Sequence, residues 1–348
     1  MASVDVAGPL NGRWASLQAV NDLDVSNYSA RSGGSADDER ASCVSEHFYS
    51  QSAAKWPELA PKTTQKRPMA SLRVLGADSD DVNMTLHQVL NSHNCRVQHS
   101  EQHRDPAANC FFQRASFDYS EMVTEKGALE AALQNTCARL NLEFQLWWGG
   151  PKRMAIFVSK YDHVLWDILL RHKAGELECD IPLIISNHDD LRPVAEAFGV
   201  EFRLFKINKE NKRSVESEQI RLMASYGIDF VVLARYMQII SDDFCAEFPH
   251  RMINIHHSFL PAFIGAKPYH RAHERGVKLI GATAHYVTAN LDEGPIIEQN
   301  VARVSHRDSV EDLLRKGRTI ERGVLMEALR AHIEDRIVVY GNKTVVFE

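Results

Sequence analysis

Three short, uninterrupted apolar runs in the second half of the chain limit its fold more than any other feature. They are Met154-Ala155-Ile156-Phe157-Val158, Ile181-Pro182-Leu183-Ile184-Ile185 and Phe230-Val231-Val232-Leu233-Ala234. A strand with one wet face alternates polar and apolar residues. A strand that is apolar throughout must be covered on both faces, as parallel strands sandwiched between helices are. The intervals between the runs carry helix-like stretches, around residues 165–172, 191–198 and 215–226. Strands alternating with helices predict a doubly wound, mostly parallel α/β sheet. Strand-like segments follow at 252–256, 279–287 and 296–304. A long helix over 310–333 comes next, capped by Ser309 with Asp312 three residues on, a capping-box variant. A hairpin of 337–340 and 344–347 around Gly341-Asn342 closes the chain.

Upstream, Gly149-Gly150-Pro151-Lys152 punctuates the chain as a linker. Before it, strand-like residues 71–76 precede a helical stretch over 82–92 with Val82, Leu86, Val89 and Leu90 at helical spacing. Two further strands fall at 95–99 and 111–117, a helix at 127–142, and a last strand at 144–148. The order βαββαβ predicts a small ferredoxin-like α+β domain. Residues 1–69 are rich in Ser, Ala, Asp and Asn with poor apolar periodicity, which reads as a disordered or targeting extension. Its acidic residues, among them Asp22, Asp24, Asp37 and Asp38, set it apart from an Arg-rich, acid-poor mitochondrial presequence. The expected organisation is therefore 1–69 extension, 70–148 small domain and 152–348 main α/β domain.

Charge and composition exclude several classes. The net charge of −6 lacks the basic footprint of a nucleic-acid binder. No apolar run approaches the roughly 20 residues of a membrane span. The six cysteines are scattered with no Cys-x-x-Cys, which fits reduced intracellular thiols. A soluble intracellular protein is expected, of the cytoplasm or the mitochondrion.

Two segments place polar groups at the end of apolar strands, where open α/β sheets gather their ligands. One is Ile253-Asn254-Ile255-His256-His257-Ser258. The other runs from Gly281 through His285 to Asp292-Glu293-Gly294-Pro295. Asn254 and His256 are two apart on a strand and face the same way. An amide that can donate to an oxyanion beside an imidazole that can move a proton suits acyl chemistry. Asp292 can orient the histidine or an attacking water. On spacing alone other readings stand beside this one: a structural histidine, and a turn aspartate before Gly-Pro. His256-His257 as a metal pair is opposed by strand alternation and by the lack of ligand spacing such as His-Glu-x-x-His.

Residues 154–348 closely resemble the formyltransferase-like catalytic domain of folate enzymes, a Rossmann-type fold. That group includes glycinamide ribonucleotide transformylase, methionyl-tRNA formyltransferase and formyltetrahydrofolate deformylase. Its Asn-x-His…Asp signature falls on Asn254, His256 and Asp292, and its strand histidine on His285. Leu233-Ala234-Arg235-Tyr236-Met237-Gln238, His256-His257-Ser258 and Tyr340-Gly341-Asn342 are similar to the deformylase branch. The small domain resembles the ACT-type module that precedes the catalytic domain in that branch. The module's usual Asp-x-x-Gly stretch is here Asp78-Ser79-Asp80-Asp81-Val82, without the glycine.

The resemblance implies hydrolysis of 10-formyltetrahydrofolate to tetrahydrofolate and formate, balancing the one-carbon pool and supplying formate for purine synthesis. It implies catalytic roles for Asn254, His256, Asp292 and His285, with His285 orienting Asp292, and a pterin lying along Met237, Gln238, Ile239 and Ile240. No metal or cofactor is expected, folate being the substrate. Homo-oligomerisation and an amino-acid effector at the ACT-like domain are further expectations, with neither nucleic acid nor membrane as partner. In the transformylase branch a Gly-rich loop after the first strand cradles a substrate phosphate. Here that segment is Ser159-Lys160-Tyr161-Asp162-His163, with no Gly to allow close approach of backbone N–H groups. Water is then the expected acceptor. The alternatives are a formyl transferase acting on an amine and a catalytically inactive amino-acid sensor.

Overall fold

A computed structural model describes residues 67–78, 81–262 and 268–348. The expected extension over 1–69 therefore lies almost wholly outside the described residues. The first unit consists of β1 (Met69–Ala77), α1 (Val82–Ser92), β2 (Arg96–Asp105), β3 (Cys110–Asp118), α2 (Lys126–Arg139) and β4 (Leu142–Trp147). Its four strands are antiparallel in the order β2-β3-β1-β4, the ferredoxin-like arrangement. Leu72 and Val74 of β1 pack with Leu86 and Leu90 of α1 and with Leu129 and Leu133 of α2. Two boundaries differ from the sequence reading. Strand β2 runs on to Asp105, because its backbone pairs with β3 along nearly its whole length although its side chains are mostly exposed. Apolar periodicity cannot register such an edge strand. Helix α2 stops at Arg139, since Asn141 adopts a left-handed backbone (φ 54°) that helices do not continue through.

The larger unit follows from β5 (Lys152–Val158) through α3 (His163–Lys173), β6 (Cys179–Ser186), α4 (Arg192–Ala197), β7 (Glu201–Leu204), α5 (Lys212–Ser225), β8 (Phe230–Leu233), α6 (Asp242–Glu247) and β9 (Met252–His256). It continues with α7 (Pro268–Arg275), β10 (Leu279–Tyr286), β11 (Ile296–Arg303), α8 (Val310–Ile333), β12 (Ile337–Tyr340) and β13 (Lys343–Val346). Seven strands form one sheet in the order β11-β10-β9-β8-β5-β6-β7. Strands β5 to β9 pair in parallel, whereas β10 runs antiparallel to both β9 and β11. The mostly parallel α/β architecture read from the apolar runs is what forms. Alternate residues of a single run enter opposite layers. Met154, Ile156 and Val158 join the core that contains α8, while Ala155 and Phe157 join the core that contains Met223 and Phe244. The short elements β7, α6 and α7 had no counterpart in the periodicity, being four, six and eight residues long.

Helix α8 is the long helix of the larger unit, opened by the capping box of Ser309 and Asp312. Its C-terminal end joins the two units. Lys152 Nζ is buried and donates to the carbonyls of His332 (3.0 Å) and Ile333 (2.7 Å) and to Asp335 Oδ1 (2.8 Å). Arg73 of β1 also pairs with Asp335 Oδ1 (3.2 Å), and Arg114 of β3 donates to the Asp335 and Glu334 carbonyls. The β12–β13 hairpin packs Val338 and Phe347 on Phe112 of the small sheet. Among the described residues no helix is long and apolar enough to cross a membrane, and Cys95, Cys110, Cys137, Cys179 and Cys245 are free thiols.

Candidate active site

The parallel strands β8 and β9 end at one rim of the sheet, and the chain leaves that rim in two loops that line a cavity of about 630 Å³. The first loop, after β8, takes Arg235 and Met237 through left-handed backbone (φ 64° and 53°). Such conformations are uncommon for side-chain-bearing residues and persist only where the surroundings enforce them. Here Ser159 Oγ contacts the Tyr236 carbonyl between them, and the Tyr236 ring is fixed edge-on against Phe157. Met237 and Ile239 are 58% and 61% exposed along the cavity, whereas Ile240 turns into the core at 8%. The segment expected to take the pterin is thus a lip on which Met237 and Ile239 are exposed, Gln238 is half-buried and Ile240 is buried.

Strand β9 carries Asn254 and His256, and β10 lies antiparallel to it with His285 directly opposite Asn254. Directly opposed residues share a face and touch, and the Asn254 amide nitrogen stands 3.2 Å from His285 Nε2. His285 Nδ1 donates to the Tyr286 carbonyl (2.9 Å). A carbonyl only accepts, so Nδ1 bears the hydrogen; the amide nitrogen only donates, so Nε2 is bare. Asn254 spends one amide hydrogen on His285 and keeps a second.

Asp292 comes from the turn after β10. Its own backbone is left-handed (φ 58°), which aspartate tolerates. Gly294 lets that turn fold back: a Cβ there would stand 1.8 Å from the Tyr286 carbonyl oxygen. Asn342 of the terminal hairpin donates to the Glu293 carbonyl (2.9 Å) and clamps the turn from outside. The carboxylate thereby reaches His256, with Nδ1 3.2 Å from Oδ1, while His285 Nε2 is 3.7 Å away. His285 is closer to Asn254 than to Asp292. Burial pushes the Asp292 carboxyl up, but the hydrogen bond and charge of the neighbouring His256 outweigh it and hold the group well below the usual carboxylate range. His256 Nε2 is buried with no hydrogen-bond partner among the described residues.

The chain beyond His256 is held by Thr283. Its hydroxyl donates to the Ser258 carbonyl (2.9 Å) and accepts from the Leu260 amide (3.0 Å) and the Gln299 amide (2.9 Å). His257 departs from the sequence reading, in which adjacent strand residues face apart. Strand β9 ends at His256, so His257 is free of alternation and its ring stacks on His256 with centroids 5.3 Å apart. Burial, with the Arg235 charge behind it, lowers the His257 ring to about 3. It is a neutral wall of the cavity. Among the described residues no group of three or more His, Cys, Asp and Glu is placed to hold a metal ion.

A second polar cluster in the cavity was not anticipated. Glu321 of α8 is 1% exposed. It accepts from His163 Nε2 (2.9 Å) and Tyr269 Oη (3.0 Å), and Arg235 Nε lies 3.7 Å off. Burial raises its carboxyl, but donation from His163 and the Arg235 charge prevail and keep it low. The signal was present: Glu321 sits on the face of α8 that buries Leu313, Gly317 and Val324, and an acid on an apolar stripe needs a partner. The loop after β5 supplies Tyr161, whose ring covers the Arg235 guanidinium at 4.9 Å, while Lys160 is exposed.

Residues 152–329 match the Formyl transferase family. A formyltetrahydrofolate deformylase of Synechocystis sp. is 50% identical over 279 residues, 80% of this chain and 98% of that protein. The chain belongs to the formyltetrahydrofolate deformylase family. The aligned length exceeds the α/β unit, so the likeness reaches into the small N-terminal unit. The Bacillus subtilis formyltetrahydrofolate deformylase is 48% identical over 74% of this chain and 87% of its own length. The crystal structure of a formyltetrahydrofolate deformylase from Pseudomonas syringae pv. tomato superposes with a TM-score of 0.79 at 41% identity, covering 82% of this chain and 96% of that one.

Proposed function

We propose that this chain hydrolyses 10-formyltetrahydrofolate to tetrahydrofolate and formate, and that Asn254, His256 and Asp292 carry the reaction. The observation that carries the assignment of roles is the His256–Asp292 pair, with His256 Nε2 left unpartnered in a cavity bounded by the Asn254 amide. An acid held so low is a weak base. Asp292 then serves to hold the attacking water with its second oxygen and to stabilise the charged ring of His256. His256 carries the proton: Nε2–H donates to the developing oxyanion and then passes the proton to N10. The free hydrogen of the Asn254 amide donates to the same oxyanion. The water oxygen bonds to the formyl carbon as the water gives one proton up by way of Asp292, the C–N10 bond breaks as N10 takes the His256 proton, and formate leaves with loss of the second; one of the two restores His256 and one is released. His285 acts on Asn254 rather than on the substrate, fixing the direction of the amide. The pterin lies along Met237, Gln238, Ile239 and Ile240, which line the cavity. No cofactor enters this reaction, whose only other reactant is water.

The small unit offers two further roles. Its outer strands β2 and β4 each pair on one side only among the described residues, which suits edge-to-edge pairing of two copies. The segment Asp78-Ser79-Asp80-Asp81-Val82, where the family glycine is replaced, is where the resemblance would put an amino-acid effector.

Formate release from 10-formyltetrahydrofolate alone, with no amine present, tests the reading. Wild type releases formate catalytically; a transferase awaiting an amine releases almost none. Loss of the oxyanion donor in Asn254→Ala lowers kcat by about 10²–10³. Near-normal turnover in Asn254→Ala, His256→Ala or Asp292→Asn removes that residue from the mechanism.

A further inference from the structure

Arg235 is a cation that the hydrolysis above does not use. The residue is 8% exposed, yet two of its donors, Nε and Nη1, have no hydrogen-bond partner among the described residues. A buried guanidinium with open N–H groups is costly, because each lost water bond goes unreplaced. The nearest carboxylate does not fill the gap. Glu321 Oε2 stands 3.7 Å from Nε, beyond hydrogen-bond reach, and the Glu321 oxygens are already taken by His163 and Tyr269. The face of the guanidinium is covered by the Tyr161 ring, which leaves its edge. Each open N–H on that edge can give a carboxylate a charge-assisted hydrogen bond.

Arg235, His256, His257 and Asp292 line one cavity. His257 stacks on His256 and also meets the Tyr269 ring at 6.2 Å, so a continuous wall runs from the reacting centre to the Arg235–Glu321 cluster. The reaction makes a carboxylate beside Asp292, whose own carboxylate stays ionised. Like charges confined together repel, and an open cation in the same cavity gives the new anion a place to go. Tyr161 is 45% exposed, so this cover can swing aside without unpacking the core.

We propose that Arg235 is a product subsite: one of its open donors, Nε–H or Nη1–H, receives the formate carboxylate as it leaves the formyl carbon, with Tyr161 as the movable cover. The subsite takes a small planar monocarboxylate. This rests on the hydrolytic reading. The rival carboxylate is the glutamate end of the folate itself, but Arg235 shares its cavity with His256 and Asp292, where the one-carbon anion forms, which favours formate.

The test titrates ¹³C-formate and, separately, p-aminobenzoylglutamate into the full-length protein, following ligand NMR line width. Formate inhibition of donor-only turnover is measured in parallel. Wild type binds formate saturably and is inhibited by it. Arg235→Gln weakens formate binding about tenfold or more, as the loss of a charge-assisted hydrogen bond demands, and leaves p-aminobenzoylglutamate binding unchanged. Arg235→Lys keeps a cation against Glu321 and so serves as the folded variant should the glutamine form be unstable. It loses the Nε–H and Nη1–H donors, and its formate affinity falls several-fold. The proposal is overturned if formate does not bind wild type saturably, if both variants bind it as wild type does, or if p-aminobenzoylglutamate binding falls in its place. Absence of formate release by wild type from the donor alone would instead defeat the hydrolytic reading, independently of these titrations.

Discussion

Gly317 of α8 faces the ring of Tyr269, and replacing it by alanine isolates the packing beneath the cavity. A Cβ at this position would stand 2.0 Å from Tyr269 Oη and 2.3 Å from Cζ, so the ring must move. Tyr269 is 5% exposed, and its hydroxyl donates to the buried Glu321 carboxylate at 3.0 Å. Overpacking a core costs about 1–3 kcal/mol, and losing a hydrogen bond to a buried charge about 1.5–3 kcal/mol. The gain from placing alanine rather than glycine in a helix offsets about 1 kcal/mol. The net expectation for Gly317→Ala is a destabilisation of about 3 kcal/mol. The same helix contains its own control: Gly323 is exposed, with nothing within 4 Å of a would-be Cβ. Gly323→Ala should be neutral or stabilising by up to about 1 kcal/mol. Urea midpoints of the two variants and wild type decide the matter. Turnover should also fall in Gly317→Ala, since Glu321 loses a donor and Arg235 and His163 are left to share it. Equal stability of the two alanine variants would refute the close packing of Tyr269 on α8.

Two other outcomes follow from buried charge. Lys152→Met removes the cation that pairs with Asp335 and caps the α8 carbonyls, and should cost about 3 kcal/mol, the lower end for a broken buried pair because Arg73 still reaches Asp335; an unchanged urea midpoint would show that the junction does not depend on it. The second concerns acid. His257 and His332 are both held neutral by burial, His257 down to about 3 and His332 well below its ordinary value. Their unfolded forms take up a proton near pH 6.5, so stability is complete above that pH and falls as pH drops below it, by up to about 1.4 kcal/mol per pH unit for each group. Asp292 acts in a separate window: its depressed carboxyl withdraws stability only below about pH 4. Thermal melts from pH 7 to 5 should fall in wild type and less steeply in His257→Gln; identical slopes would show that His257 is solvated in the folded state.

Strand and helix placement was legible in the sequence wherever apolar residues had a period, because burial on one or two faces leaves that period in the residue order. The runs at 154–158, 181–185 and 230–234 therefore announced β5, β6 and β8, and with them the α/β sheet. Asn254, His256, His285 and Asp292 were also legible, by motif and resemblance, and all four line one cavity. What only the tertiary structure decided is contact between residues far apart in the chain. That His285 meets Asn254 more closely than Asp292 depends on the register of β10 against β9, which no local pattern records. That Glu321 gathers His163, Tyr269 and Arg235 depends on α8 crossing three other segments. Local order follows from which side chains must leave water; the chemistry of the cavity follows from which distant backbones are brought together to satisfy the charges left inside.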